Sequence, residues 1–306
     1  MASNPTPDDD DILIALAEDL ADGCHDHEVT VGIKQNTETV LRTALAAVGT
    51  TRVTEGTTSG AVDTAFDTLQ AADAAGSVVL KNCRLRLVKL LGTQYSSGWQ
   101  TAGWPNNTTA IPTQQDQRFT LLGSLKNYFT ANPAAESVDM EATAAICAAA
   151  HVAISNARAA VNTAETNRTT AKKAAAEAVR TLRKRVRGLI DELGTLLAED
   201  DARYETFGLN IPANASAPEG IEELTLTALG SGKVHVVWSY ATRMTGTRVL
   251  RKLPGPDEEF ASVGTSAGLE KVLTGQPVGA LIEIQVVPYN EGGDGSASPT
   301  KTLTVT

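Results

Sequence analysis

Apolar residues recur at helical spacing over roughly the first two hundred positions, and from Glu222 onward they alternate with period two. The clearest run is Val179, Leu182, Val186, Leu189, Leu193 and Leu196, with spacings of 3, 4, 3, 4 and 3, a coiled-coil-type seam. An earlier stripe, Leu80, Cys83, Leu87, Leu90 and Leu91, must pack against another helix. Shorter helical faces are Ile12, Leu13, Leu16 and Leu20; Val40, Leu41, Ala44, Leu45 and Val48; Val62, Phe66 and Leu69; and Phe119, Leu121, Leu122, Leu125 and Phe129. Ser137 opens a long Ala-rich helical segment with N-cap residue types in place. The polar stretch Gly49 to Gly60 reads as a loop, and Gly76 as a break. Thr163 to Thr170 reads either as a turn or as an exposed section, so residues 137–203 are one helix or a hairpin.

The change of period falls at Arg203 to Pro218. Pro212 and Pro218 each remove a donor and disfavour helix in the residue before, so the last helix should stop before Ile211. Part of this stretch is also a copy. Tyr204-Glu205-Thr206-Phe207-Gly208-Leu209 echoes Trp99-Gln100-Thr101-Ala102-Gly103-Trp104. Upstream, Leu80, Cys83, Leu87, Leu90 and Leu91 align without gaps on Val179, Leu182, Val186, Leu189 and Ile190, with Arg84 and Arg86 on Arg183 and Arg185. Two motifs in the same order indicate an internal duplication. The expected organisation is a mobile arm (1–11), a helical bundle (12–211) with copies at about 32–105 and 119–211, a linker (212–218) and a β-sandwich (219–306). Residues 217–306 are expected to fold alone.

In the C-terminal part, Leu224, Leu226 and Ala228 alternate with threonines, and Val234, Val236 and Trp238 recur with the same period of two. About seven short strands separated by turn residues favour a sandwich. Trp238 in the second strand, and Asn290, Gly293, Gly295 and Ser298 in an Asn-x-x-Gly-x-Gly-x-x-Ser pattern, make residues 217–306 resemble a fibronectin type III domain. Ile282 stands where that family carries a corner tyrosine, so packing must hold the corner. The layout as a whole resembles bacterial proteins that join a helical bundle to such a sandwich, which implies no particular activity. The fold class is thus multidomain α and β: a duplicated Ala-rich helical bundle followed by an antiparallel fibronectin III-like sandwich.

A net charge of −10 repels phosphate backbones and argues against nucleic acid as a general partner. The basic residues Arg180, Arg183, Lys184, Arg185 and Arg187 flank the apolar seam, as helix-helix charges do. Nothing reads as a secretory signal, and no apolar run reaches the eighteen or so residues of a membrane span. Asn106 and Asn107 formally match glycosylation sequons. Cys24, Cys83 and Cys147 are widely spaced and read as buried small hydrophobes on helices, not as a disulfide framework.

Cys24-His25-Asp26-His27-Glu28 collects metal-ligand residue types, but a closed zinc or nickel site needs a further ligand, and His151 and His235 belong to other elements. A polar loop is the plainer reading. Asp200-Asp201 and Glu258-Glu259 are adjacent solvated acids, not converging pairs. Trp99, Trp104 and Tyr204 are expected to plug bundle ends. No nucleotide-binding, nucleophile-elbow or zinc-ribbon motif is present. The reading is therefore a non-enzymatic structural or protein-interaction protein, with no catalytic, cofactor or metal residues, that self-associates as a surface, appendage or phage-like component. The alternative is an accessory carbohydrate-binding module, with Tyr240 and Tyr289 as the candidate sugar-stacking rings.

Overall fold

A computed structural model describes residues 3–105 and 107–306. Asn106, named above with Asn107 for its sequon, lies outside them. The helices are α1 (Asp10–Val31), α2 (Glu38–Leu91), α3 (Ser97–Thr101), α4 (Gln115–Ala131), α5 (Ala144–Leu196) and α6 (Arg203–Thr206). The strands are β1 (Leu224–Gly230), β2 (Lys233–Trp238), β3 (Gly246–Lys252), β4 (Ala261–Ser266), β5 (Glu270–Leu273), β6 (Leu281–Asn290), β7 (Gly293–Asp294) and β8 (Lys301–Thr304). The chain forms two compact units, residues 1–50 with 175–306, and residues 51–174.

Several expected breaks are helix. Residues 49–60 lie within α2. Thr57, Thr58 and Thr64 donate their hydroxyls to the carbonyls of Val53, Thr54 and Gly60, so they do not compete with the helical ladder. Gly76 is buried rather than a breaker, and an added Cβ there would meet Ile154 and Leu122, both at 3.1 Å. Residues 24–28, read as a polar loop, lie within α1, which stops only at Gly32 in the left-handed conformation, φ 87°. Thr163 to Thr170 is an exposed section of one continuous α5, which settles the choice between helix and hairpin. That helix starts after Thr143, not at Ser137. The Thr143 hydroxyl accepts from the Ile146 N–H at 3.2 Å, and Glu136 accepts from the Ala144 N–H at 2.7 Å. Although no apolar run of eighteen stands out in it, the Ala-rich α5 is also long and apolar enough, by length and composition, to cross a membrane. Its Cys147, Ile154, Ala157 and Val161 are nevertheless buried in the fold.

Of the arm expected to be mobile, residues 1 and 2 lie outside the described residues, and from Ser3 onward it is tied down. Ser3 donates its N–H and hydroxyl to the Glu291 carboxylate at 3.0 and 2.8 Å. Asn4 pairs with the backbone of Asn210 in both directions, at 2.9 and 2.8 Å. Asp9 caps α1 by accepting from the N–H groups of Asp11 and Ile12. Arg183 donates to the carbonyls of Pro7 and Asp8 and to Asp10.

In the first unit the seam residues Leu182, Val186, Leu189 and Leu193 pack with Leu13, Leu20, Leu41, Tyr204 and Phe207. The seam ends on Leu197, and Leu196 is exposed. In the second unit Leu80, Cys83 and Leu87 pack with Trp99, Trp104, Leu122, Phe129, Cys147 and Ile154. Phe66, expected on an inner face, is 47% exposed. The order α1–α2–α3 is repeated by α4–α5–α6, and the copies close alike. The Trp104 N–H bonds the Trp99 carbonyl, and the Leu209 N–H bonds the Tyr204 carbonyl, each at 3.0 Å, across Gly103 (φ 95°) and Gly208 (φ 69°). The repeats are not the compact units. The first unit takes α1 and the start of α2 with the end of α5 and α6, and the second takes the rest.

The C-terminal strands form two antiparallel sheets, ordered β1-β2-β5 and β4-β3-β6, with β7 and β8 also pairing β6. Leu224, Val234, Val236 and Trp238 face Val249, Ile282, Ile284 and Val286 in the sandwich core, which Ile12 of α1 also enters. Ile282, at the corner-tyrosine position, is fully buried and pairs with Leu303 of β8.

Candidate functional site

Polar groups converge at the β2–β3 corner, beside α1 and the Gly208 turn. Asn290 ends β6 and donates to the Asn210 side chain (3.1 Å) and to the carbonyls of Ser216 and Arg243 (2.9 Å each). Its own Oδ1 accepts from the Gly292 N–H at 2.7 Å. The other pattern residues are as constrained. Ser298 bonds Val286 through both its N–H and its hydroxyl. A Cβ on Gly295 would lie 2.6 Å from the Pro218 carbonyl. The pattern therefore fastens residues 210–218 to the sandwich.

Within this corner two polar atoms lack a hydrogen-bond partner, Oδ2 of Asp19 and Nε of Arg243. Arg243 itself adopts a positive φ of 67°. Burial, then the charges of Asp22, Glu219 and Glu18, push the Asp19 carboxyl up to about 6, against the pull of Arg243. Burial and the same Asp19 charge push the Tyr240 phenol up. Because the folded Asp19 binds its proton more tightly than the unfolded chain does, it destabilises the fold once ionised. Its cost is absent at low pH and grows as pH rises from about 4 through 6. Asp19→Asn should therefore stabilise the protein by about 1–2 kcal/mol at pH 8, a figure discounted for partial solvent screening. It should change stability little at pH 4. Paired urea titrations at the two pH values check this, and an equal gain at both would contradict it.

A second feature is the outer face of the three-stranded sheet. The registers Thr225↔Val237, Thr227↔His235, Val237↔Glu270 and His235↔Val272 place these side chains on one side. Val237 is 36% exposed and Val272 47%, with Leu229 of the same strand face at 53%. The only charged contact among these residues is His235 Nε2 to Glu270 Oε2, 2.9 Å.

The residues singled out in the sequence scatter. Cys24 is buried with its thiol pushed up to about 12 by desolvation and three glutamates. On helical α1, His25 pairs with Glu38 (3.2 Å) while His27 packs near Phe207, 6.1 Å between ring centroids. No group of three metal-ligand side chains occurs among the described residues. His151 stacks on Phe119 at 4.0 Å. Asp201 is held at about 2 by hydrogen bonds from Arg203. In the basic stripe, Arg180 pairs with Glu177 at 2.6 Å and Arg183 is spent on the arm. Trp99 and Trp104 form a buried edge-to-face pair, 5.0 Å apart. Tyr240 and Tyr289 are both half-buried, and the Tyr289 hydroxyl crowds Gly246.

One residue has a role that no motif signals. Glu192 accepts from the N–H groups of Lys34, Gln35 and Asn36 at 2.7, 3.1 and 3.2 Å. Burial raises its carboxyl, but these bonds outweigh burial and lower it. It anchors the α1–α2 turn, and only a three-dimensional contact reveals it.

The sandwich is fibronectin III-like, with β1, β2 and β5 in one sheet and β4, β3, β6, β7 and β8 in the other. No protein-family model and no curated protein matches the chain. Solved structures similar to it are fibronectin type III domains that align with the C-terminal sheets alone. The FN5 domain of Drosophila Lar is 24% identical over 29% of this chain and 98% of its own, with a TM-score of 0.26. The chicken CNTN1 FN1-FN3 domains are 19% identical over 30% of this chain and 34% of theirs, with a TM-score of 0.28.

Proposed function

We propose that the protein is a non-enzymatic structural or interaction component, and that two copies associate through the outer face of the β1-β2-β5 sheet. The observation that supports this is the composition of that face. Val237 and Val272 stand exposed on neighbouring strands, framed by threonine hydroxyls and the His235–Glu270 pair, and Leu229 is exposed at the bulged end of β1. The chain carries a net charge of −10, so most of its surface repels a second copy. This face carries the Glu270 carboxylate beside the His235 imidazole, with the Lys233 ammonium at one end. In a two-fold arrangement the imidazole of one copy meets the carboxylate of the other, and the valines meet each other. Convergent polar groups elsewhere, such as Glu192 and Asn290, are spent on internal hydrogen bonds rather than held open for a substrate. A surface, appendage or phage-like assembly, in a layout similar to bacterial bundle-plus-sandwich proteins, is the setting such a contact suits.

Light scattering on size-fractionated protein tests the reading. The wild type should show a concentration-dependent dimer. The double variant Val237→Glu, Val272→Glu should be monomeric with an unchanged circular-dichroism spectrum. A strictly monomeric wild type, or a folded variant that still associates, would overturn it.

A further inference from the structure

Cys83 lies in α2 and Cys147 in α5, both within the core of the second unit. Their sulfurs are 3.5 Å apart, and neither residue is exposed to solvent. The two thiols lie 64 positions apart in sequence yet face each other among Leu80, Leu87, Leu122 and Ile154. As plain hydrophobes they would need no such alignment. We propose that Cys83 and Cys147 are a reversible oxidation site, closing to an intramolecular disulfide when a small peroxide reaches them. A covalent S–S length of about 2 Å requires the sulfurs to approach by about 1.5 Å, a displacement on the scale of a side-chain rotation.

The two sulfurs are not equivalent. The hydrogen bond to Cys147, then burial, push the Cys83 thiol up, and the same hydrogen bond lowers Cys147. Attack by either sulfur leads to the same bridge, and attack by Cys147 serves for both. Its sulfur forms a bond to one peroxide oxygen as the O–O bond breaks, and the departing hydroxide takes the Cys147 proton to leave as water. The Cys83 sulfur then attacks the Cys147 sulfur. The S–S bond forms, the S–O bond breaks, and the second hydroxide takes the Cys83 proton. Two thiols lose two electrons and two protons, and one peroxide becomes two waters. Bulky disulfide oxidants cannot reach sulfurs so enclosed, which is why the oxidant is a small peroxide. Cys24 belongs to the other unit, contacts the Asn36 carbonyl at 3.7 Å, and remains a thiol.

The test treats the full-length protein with hydrogen peroxide, blocks free thiols under denaturing conditions, and maps peptides without reduction. The expected result is a peptide joining Cys83 to Cys147, one alkylated thiol at Cys24, and a mass lower by two hydrogens. The wild type and Cys24→Ser should both gain about 5–10 °C in Tm, reversed by dithiothreitol, because the bridge constrains the unfolded chain. Three alkylatable thiols after treatment would overturn the proposal. So would added oxygen at either cysteine without the joined peptide. The decisive reading uses the wild type, so it does not depend on a Cys83→Ser variant folding.

Discussion

Trp99→Ala will lower the stability of the fold by about 3–5 kcal/mol, the cost of emptying a large, fully enclosed aromatic position. Trp99 has no solvent exposure, packs edge-to-face on Trp104 at 5.0 Å, and donates its indole N–H to the Gly92 carbonyl at 3.1 Å. Removing it opens a cavity beside Trp104 and leaves that carbonyl without its donor. Trp99→Phe keeps most of the volume and loses the hydrogen bond, so it should cost about 1–2 kcal/mol. Urea denaturation followed by circular dichroism distinguishes the two. If Trp99→Ala costs no more than Trp99→Phe, the ring is not the plug that the geometry describes.

Gly208→Ala is the second large effect. Gly208 sits at φ 69°, and an added Cβ would lie 2.7 Å from the Asp19 Cβ. The left-handed backbone costs about 1–2 kcal/mol for a residue with a side chain. The clash with α1 adds about 1–3 kcal/mol more. A loss of about 3 kcal/mol is expected. Gly92 supplies the control, because its φ is also positive, 81°, but nothing lies within 4 Å of an added Cβ. Gly92→Ala should cost only the backbone share. Equal losses at the two positions, read from denaturation midpoints, would mean that the contact with Asp19 contributes nothing.

The features legible in the sequence were those carried by period. The buried set Leu182, Val186, Leu189 and Leu193 follows directly from its spacing, as does Val234, Val236, Trp238. The echo of Trp99 in Tyr204 located two turns with the same backbone. What was illegible depended on partners far away in the chain. Threonine and glycine at 49–60 suggested a loop, because sequence does not show hydroxyls satisfying carbonyls four residues back. Asn4 looked like part of a free arm because its partner, Asn210, is 206 residues on. His25 and His27 suggested a shared direction only on an extended backbone, and a helix sends them to opposite sides. Cys83 and Cys147 could be read as buried, but not as neighbours. The outer sheet face was hidden for another reason. Alternation tells which residues face away from the core, not whether Val237 and Val272 then stand uncovered.

The arrangement of the repeats has a consequence for the integrity of the chain. Each core draws its opening helix from one repeat and its closing turn from the other, so one copy of α1–α2–α3 fills half of each and completes neither. A cut between α3 and α4 severs the backbone between the repeats yet removes no side chain from either core. The two pieces would hold each other through both cores at once, so neither could leave without opening both.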